Sequence, residues 1–226
     1  MIPWLGNDDS FPPLAKALKS PNGLLCAGGD LSPERILSAY ARGIFPWFSE
    51  GDPILWWSPD PRMVLFPDEL KVSRSLSRVV SRGLYEIRMD TAFRDVIEAC
   101  AAPRDGHHGT WIVPEMVDAY TRLHELGFAH SVESWNGDTL AGGLYGIALG
   151  RVFFGESMFA RAPDASKAAL VALVERLRAR GYRVIDCQQA TAHLASLGAR
   201  EIPRKTFAQL LESSIQYPLT GEHWTG

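Results

Sequence analysis

Residues 128–159 read FAHSVESWNGDTLAGGLYGIALGRVFFGESMF. Three apolar-rich runs of strand length are separated by Asn136-Gly137-Asp138 and by Gly150, residues that accept the positive φ of tight hairpin turns. The stretch therefore reads as an antiparallel meander. Working outward, Leu170, Leu173, Val174 and Leu177 form one helical stripe closed by Gly181, YRVIDCQ reads as a short strand, and PRKTFAQLLESSI as a last helix. Upstream, TAFRDVIEACA and PEMVDAYTRLHELG carry helical periodicity, with PRDGHHGTW as the loop between them. A mixed sheet with helices packed on it, an α+β fold, is the expectation.

The first sixty residues differ in texture. Proline, glycine and aromatic residues dominate, with one helix in LSPERILSAYARG, whose Ser32 is an N-cap, Pro33 the first helical residue and Gly43 the terminator. Residues 1–60 are read as a small N-terminal domain and 61–226 as the main one. Within GIFPWFSEGDPILWW, residues 43–57, five large aromatic rings sit between prolines. Proline removes backbone donors, so this segment is expected to be a rigid surface loop or sheet edge rather than a helix or interior strand.

The chain has 226 residues, 46% apolar and 22% charged, with net charge −3. That composition excludes disorder and argues against non-specific coating of nucleic acid. Cys26, Cys100 and Cys187 are odd in number and widely spaced, which suits free thiols in a reducing compartment. The N-terminal residues carry no signal-peptide pattern and no run reaches the length of a membrane span, so a soluble, cytoplasmic protein is expected.

Several polar residues sit where they need partners. In RVFFGESMF, strict alternation puts Glu156 on a face with Val152, Phe154 and Met158. Such a carboxylate requires an internal salt bridge to an arginine or a polar cleft. Gly155 beside it favours the cleft, since a strand glycine permits close approach of a ligand. In YRVIDCQ, Asp186 and Gln188 share a face near a strand end, which suits a helix cap, a turn or a substrate-orienting pair. Arg74, Arg78 and Arg82 recur every four residues with no acidic residue between Lys71 and Tyr85. That stripe suits phosphate binding better than a mixed-sign solvated face. His107 and His108 lack a third ligand of matching spacing, so no metal is expected, and nucleotide-phosphate loops and nucleophile elbows are absent.

NGLLCAGGDLSPERILSAYARGIFPWF, DPILWWSPDPR, GTWI, AGGLYG, GESMF, IDCQ and LASLGAREIPR occur in an order that resembles the bacterial leucyl/phenylalanyl-tRNA–protein transferases. The resemblance covers about residues 20 to 207. It implies an acyl-CoA N-acyltransferase-like (GNAT-like) main domain and transfer of Leu, Phe or, less well, Met from aminoacyl-tRNA to the α-amine of proteins beginning with Arg or Lys. That transfer creates a degradation signal. No cofactor is implied, and the phosphate loop of CoA-using relatives is missing, so CoA is not the expected donor.

By the same resemblance, Asp186, Gln188 and Glu156 are the catalytic residues. Asp186 polarises Gln188, which contacts the attacking amine, while Glu156 positions either the donor or the cationic acceptor. Trp47 and Trp111 grip the terminal adenosine and aminoacyl group. Leu144, Phe153 and Leu170 line the side-chain pocket, and Tyr120, Gly155 and Ser157 complete the donor site. Apart from the resemblance, the spacing of Arg74, Arg78 and Arg82 assigns them to phosphates of the tRNA body, and Trp56 and Trp57 are read as core between the domains.

Overall fold

The computed structural model describes residues 2–6, 8–103 and 112–224. The chain opens with β1 (Trp4–Leu5) and β2 (Leu24–Gly28), followed by α1 (Pro33–Ala41). Ser32 caps α1 by accepting a hydrogen bond from the Arg35 backbone amide, with Pro33 at the first position, as the sequence predicts. Next come β3 (Phe45–Pro46) and β4 (Leu55–Trp57), which complete a four-stranded sheet in the order β1-β2-β4-β3.

β4 corrects the expectation drawn from the prolines. It is an interior strand, paired with β2 on one side and β3 on the other. Pro53 and Pro59 fall outside the paired residues, so neither removes a ladder hydrogen bond, and Pro46 sits on the edge strand where its missing N–H costs nothing. Trp56 is fully buried, and its indole donates to the Gly28 carbonyl at 2.9 Å.

The second sheet begins at β5 (Arg62–Leu65). Then follow α2 (Arg74–Ser81), β6 (Glu86–Met89), α3 (Phe93–Ala101), α4 (Pro114–Glu125) and the predicted meander, β7 (Ala129–Asn136), β8 (Thr139–Leu149) and β9 (Val152–Ala160). The chain continues with α5 (Ala165–Ala179), β10 (Val184–Gln188), α6 (Ala192–Ser196), β11 (Arg200–Ile202) and α7 (Arg204–Ser214). The strand order is β11-β5-β10-β9-β8-β7-β6. β9 and β10 run parallel, and the other neighbours run antiparallel. Three strands of this sheet were not legible: β5, hidden behind Pro59 and Pro61, and the short β6 and β11.

Apolar side chains fill both faces. One cluster joins Tyr40 and Trp56 of the first region to Tyr120, Tyr145 and Phe154 of the second, so the two sheets share a core. The other lies under α5 and contains Leu144, Phe153, Leu170, Leu173 and Ile185. The three cysteines are free. Among the described residues, no helix is long and apolar enough to cross a membrane, and no group of three or more His, Cys, Asp or Glu side chains is placed to hold a metal.

Candidate active site

β9 and β10 pair for only three residues, Val152–Phe154 against Val184–Asp186, and then part. Both strands carry an irregularity at the parting. On β9, Gly155 pairs with Gly146 and Ser157 with Tyr145, so Glu156 is an extra residue in the ladder. On β10, Asp186 pairs with Val64 and Gln188 with Met63, leaving Cys187 extra. Such bulges re-aim side chains and end pairing beside functional sites. Gly146 permits the one on β9: a Cβ there would lie 2.2 Å from the Phe154 carbonyl oxygen.

The bulge also revises the predicted faces of β9. Glu156 shares its side with Phe154 as alternation requires, but Met158 packs with the α5 cluster and Phe159 with the other core. One inserted residue inverts every side chain beyond it.

Where the strands part, a cleft of about 470 Å³ opens. Its apolar wall comes from Leu144, Phe153, Leu170, Leu173 and Ile185, with Gly155, Ser157 and Met158 beside them. Phe45, Pro46 and Trp47 from the first region form one lip, and Thr191, His193 and Leu194 around α6 form another. Trp47 is 36% exposed and packs at a tilt on Trp57, whose indole donates to the Trp47 carbonyl at 2.7 Å. Glu156, Asp186 and Gln188 meet at the head of the cleft.

The two carboxylates have different partners. Asp186 is fully buried, and its two oxygens receive Nε and Nη2 of Arg62 at 2.8 and 2.6 Å. Arg62 is itself buried, lies over the rings of Phe45 and Phe207, and donates to the Gly43 carbonyl. This bidentate pair fixes Asp186 geometrically. Its Oδ1 also accepts from the Gln188 backbone amide at 2.9 Å. Asp186, expected to polarise Gln188, meets it at the backbone amide. Gln188 is at φ 62°, a left-handed conformation that costs a non-glycine residue some free energy and persists where surrounding contacts hold it, as this one does.

Among the described residues, Glu156 has no cation partner. Its Oε1 accepts from Tyr40 Oη at 2.7 Å and from Gln188 Nε2 at 2.8 Å, and its Oε2 lies 3.3 Å from Tyr120 Oη. The two phenol oxygens are 2.5 Å apart. Burial, reinforced by the negative charge of Asp186, pushes Glu156 up to about 7, against the pull of its three hydrogen-bond donors. Burial holds both tyrosines well above the ordinary phenol range, so they act as neutral donors. Because Gln188 Nε2 is committed to a carboxylate, the amide oxygen turns the other way.

Tyr120, expected in the donor site, stands fully buried behind Glu156 and reaches the cleft through that carboxylate. Trp111 and the His107–His108 loop lie outside the described residues. Arg74 and Arg78 are exposed on α2 and Arg82 caps its end, and none of the three takes part in an ion pair with the described residues. Leu144, Phe153, Gly155, Ser157 and Leu170 are all brought to the cleft.

Arg62, Tyr40 and Tyr145 were missed. Arg62 and Asp186 each interrupt an apolar strand, a pattern that implies mutual pairing. Tyr40 follows Ile36 and Leu37 on the buried face of α1, where a phenol needs a partner. Tyr145 lines the cleft, and its buried hydroxyl has no partner among the described residues.

A family model described as leucyl/phenylalanyl-tRNA protein transferase matches residues 64–212, and the model of that family's N-terminal domain matches residues 29–60. The leucyl/phenylalanyl-tRNA–protein transferase of Nitrosospira multiformis is 63% identical over 99% of this chain and 97% of its own. That of Chromobacterium violaceum is 61% identical over 99% and 96%.

Proposed function

The chain belongs to the leucyl/phenylalanyl-tRNA–protein transferase family, and on that premise we propose that its cleft moves Leu, Phe or Met from an aminoacyl-tRNA 3′ end to the α-amine of proteins that begin with Arg or Lys. The product is a protein marked for degradation. The observation that carries this reading is the hydrogen bond from Gln188 to Glu156 across the parted strands, at the head of an apolar cleft.

The amine nitrogen bonds to the ester carbonyl carbon, the bond from that carbon to the ribose oxygen breaks, and the amine's proton ends on the departing hydroxyl. No covalent enzyme intermediate is needed. An α-amine with pKa of about 7.7–8.0 is already partly neutral at pH 7. Alignment and proton handling are then the enzyme's main tasks. The Gln188 amide oxygen, turned away from Glu156, accepts an amine N–H and aims the lone pair. Glu156 fixes that amide and supplies negative charge beside a cationic acceptor. Asp186, neutralised by Arg62, positions Gln188 through its backbone.

Leu144, Phe153 and Leu170 receive the donor side chain. An apolar pocket discriminates a methylene by only about 1–3 kcal/mol, which suits a site that takes Leu, Phe and Met. Trp47 offers a half-exposed indole at the lip for the terminal adenine, and stacking contributes about 1–3 kcal/mol per base without regard to sequence. Trp111 has the same assigned role. A sheet whose single parallel pair splits at the site supports a GNAT-like reading of residues 61–226, with residues 1–60 as the smaller domain. A tRNA-using reaction belongs in the cytoplasm.

Purified protein with Leu-tRNA and an Arg-starting peptide should yield Leu-Arg-peptide, and with acetyl-CoA in place of the tRNA should yield nothing. Failure of the first reaction overturns the assignment. The exposed Arg74, Arg78 and Arg82 are assigned to tRNA phosphates. Their triple alanine variant should lose about two to three units of the log–log salt slope of tRNA binding. Transfer from a minimal aminoacyl-adenosine donor should persist. An unchanged slope would remove the stripe from the tRNA interface.

A further inference from the structure

Residues 216–223 of the C-terminal tail are largely exposed, yet Trp224 after them is only 2% exposed. Its ring stacks on His130 at 4.0 Å between centroids and 6° between planes, and the Arg176 guanidinium lies over it at 4.8 Å. Its backbone amide donates to Asp90 Oδ2 at 3.1 Å, and its carbonyl accepts from Arg176. The indole also neighbours Phe153, with centroids 5.9 Å apart and planes inclined by 29°.

Phe153 lines the cleft, and Trp224 lines a second cavity of about 530 Å³ beneath the tail. The stacked pair of rings is therefore the partition between two spaces. Trp224 also belongs to the same apolar cluster as Leu144, Phe153 and Leu170, the wall assigned to the donor side chain.

We propose that Trp224 is a specificity-determining positioning residue: it backs Phe153 and sets the depth of the side-chain pocket, so that the C-terminal tail limits which amino acid is transferred. This rests on the reading of the cleft as the aminoacyl pocket. Dispersion contact from behind holds Phe153 in one place. Without it the Phe153 ring can move back into the second cavity and the pocket deepens.

The test compares kcat/KM for tRNA charged with Leu, Phe and Trp in wild type, Trp224→Ala, Trp224→Phe and Phe153→Ala. A ratio of donors on one preparation cancels the active fraction, so partial unfolding of a variant does not move it. Trp224→Ala should raise the aromatic-to-leucine ratio about tenfold, and Trp224→Phe should restore it to within about twofold of wild type. If Phe153→Ala shifts the ratio and Trp224→Ala does not, the inference is overturned while the pocket assignment stands. If neither variant shifts it, the pocket assignment falls and the inference with it.

Discussion

Two carboxylates flank the head of one cleft, Asp186 on β10 and Glu156 on β9, and they are held by opposite means. Asp186 faces a guanidinium whose fork matches it at 2.6 and 2.8 Å. Glu156 faces two phenols and an amide, all neutral donors, and sits at about 7. A buried charge paired with a cation is compensated and geometrically fixed. A buried charge held by neutral donors stays close to its protonated form and can exchange a proton near neutral pH. The β10 side is thus a clamp, and the β9 side is the titrating partner. Gln188 joins them, its backbone held by one carboxylate and its side chain by the other.

The largest effect should come from unmaking the clamp. Asp186→Asn leaves the Arg62 charge buried without its counterion, which costs about 3–5 kcal/mol of stability. The double variant Arg62→Met, Asp186→Leu removes both charges and should recover most of that loss in urea denaturation. It should still transfer poorly in single turnover, because the Gln188 amide N–H loses its acceptor. Wild-type transfer by the double variant would reduce the pair to a structural role. Next in size is Gln188. Gln188→Gly relieves the positive φ but deletes the hydrogen bond to Glu156, so two opposing effects of about 1 kcal/mol each should leave stability nearly unchanged. It should also slow single-turnover transfer about 100-fold, with donor affinity unchanged. A fully active variant would detach Gln188 from the chemistry.

Much of this frame was legible in the sequence. The meander, α1 with its cap, the α5 stripe and the strand carrying Asp186 follow from periodicity and turn residues acting locally. β5 was not, because its four buried residues carry no alternation and its pairing partners are more than a hundred residues away. The site divides along the same line. Glu156, Asp186 and Gln188 attracted notice as polar residues in apolar strands. Their partners Arg62, Tyr40 and Tyr120 come from other elements, so only the fold shows who meets whom. The bulges at Glu156 and Cys187 are register events between strands, and strict alternation along one strand misplaces Met158 as a result.

The titrating side gives smaller effects with definite signs. Folding raises Glu156 from 4.5 to about 7, so between those values the folded state binds more protons than the unfolded chain. This group's contribution to stability is full below about pH 4.5, declines as pH rises, and is gone above about 7. Glu156→Gln should flatten that part of the stability–pH curve and leave the folded protein relatively more stable at pH 8. An unchanged slope in chemical denaturation from pH 5 to 8 would mean that Glu156 is ionised throughout.

Tyr40→Phe should give the smallest effect and the sharpest test of how Glu156 is tuned. The Tyr40 hydroxyl donates to Glu156 Oε1 and so favours its ionised form. Removing that donor while keeping the ring against Phe154 raises Glu156 further. If transfer needs the carboxylate, the rise in kcat/KM through pH 7 should move to higher pH in Tyr40→Phe. In Glu156→Gln that step should vanish, leaving the α-amine's own titration near about 7.7–8.0. A profile that stays put in Tyr40→Phe, with Glu156→Gln still abolishing the step, would place the control of Glu156 with Tyr120 and Gln188. A step that survives in Glu156→Gln would belong to the acceptor amine, and the contrast between clamp and titrating side would then be geometric rather than electrostatic.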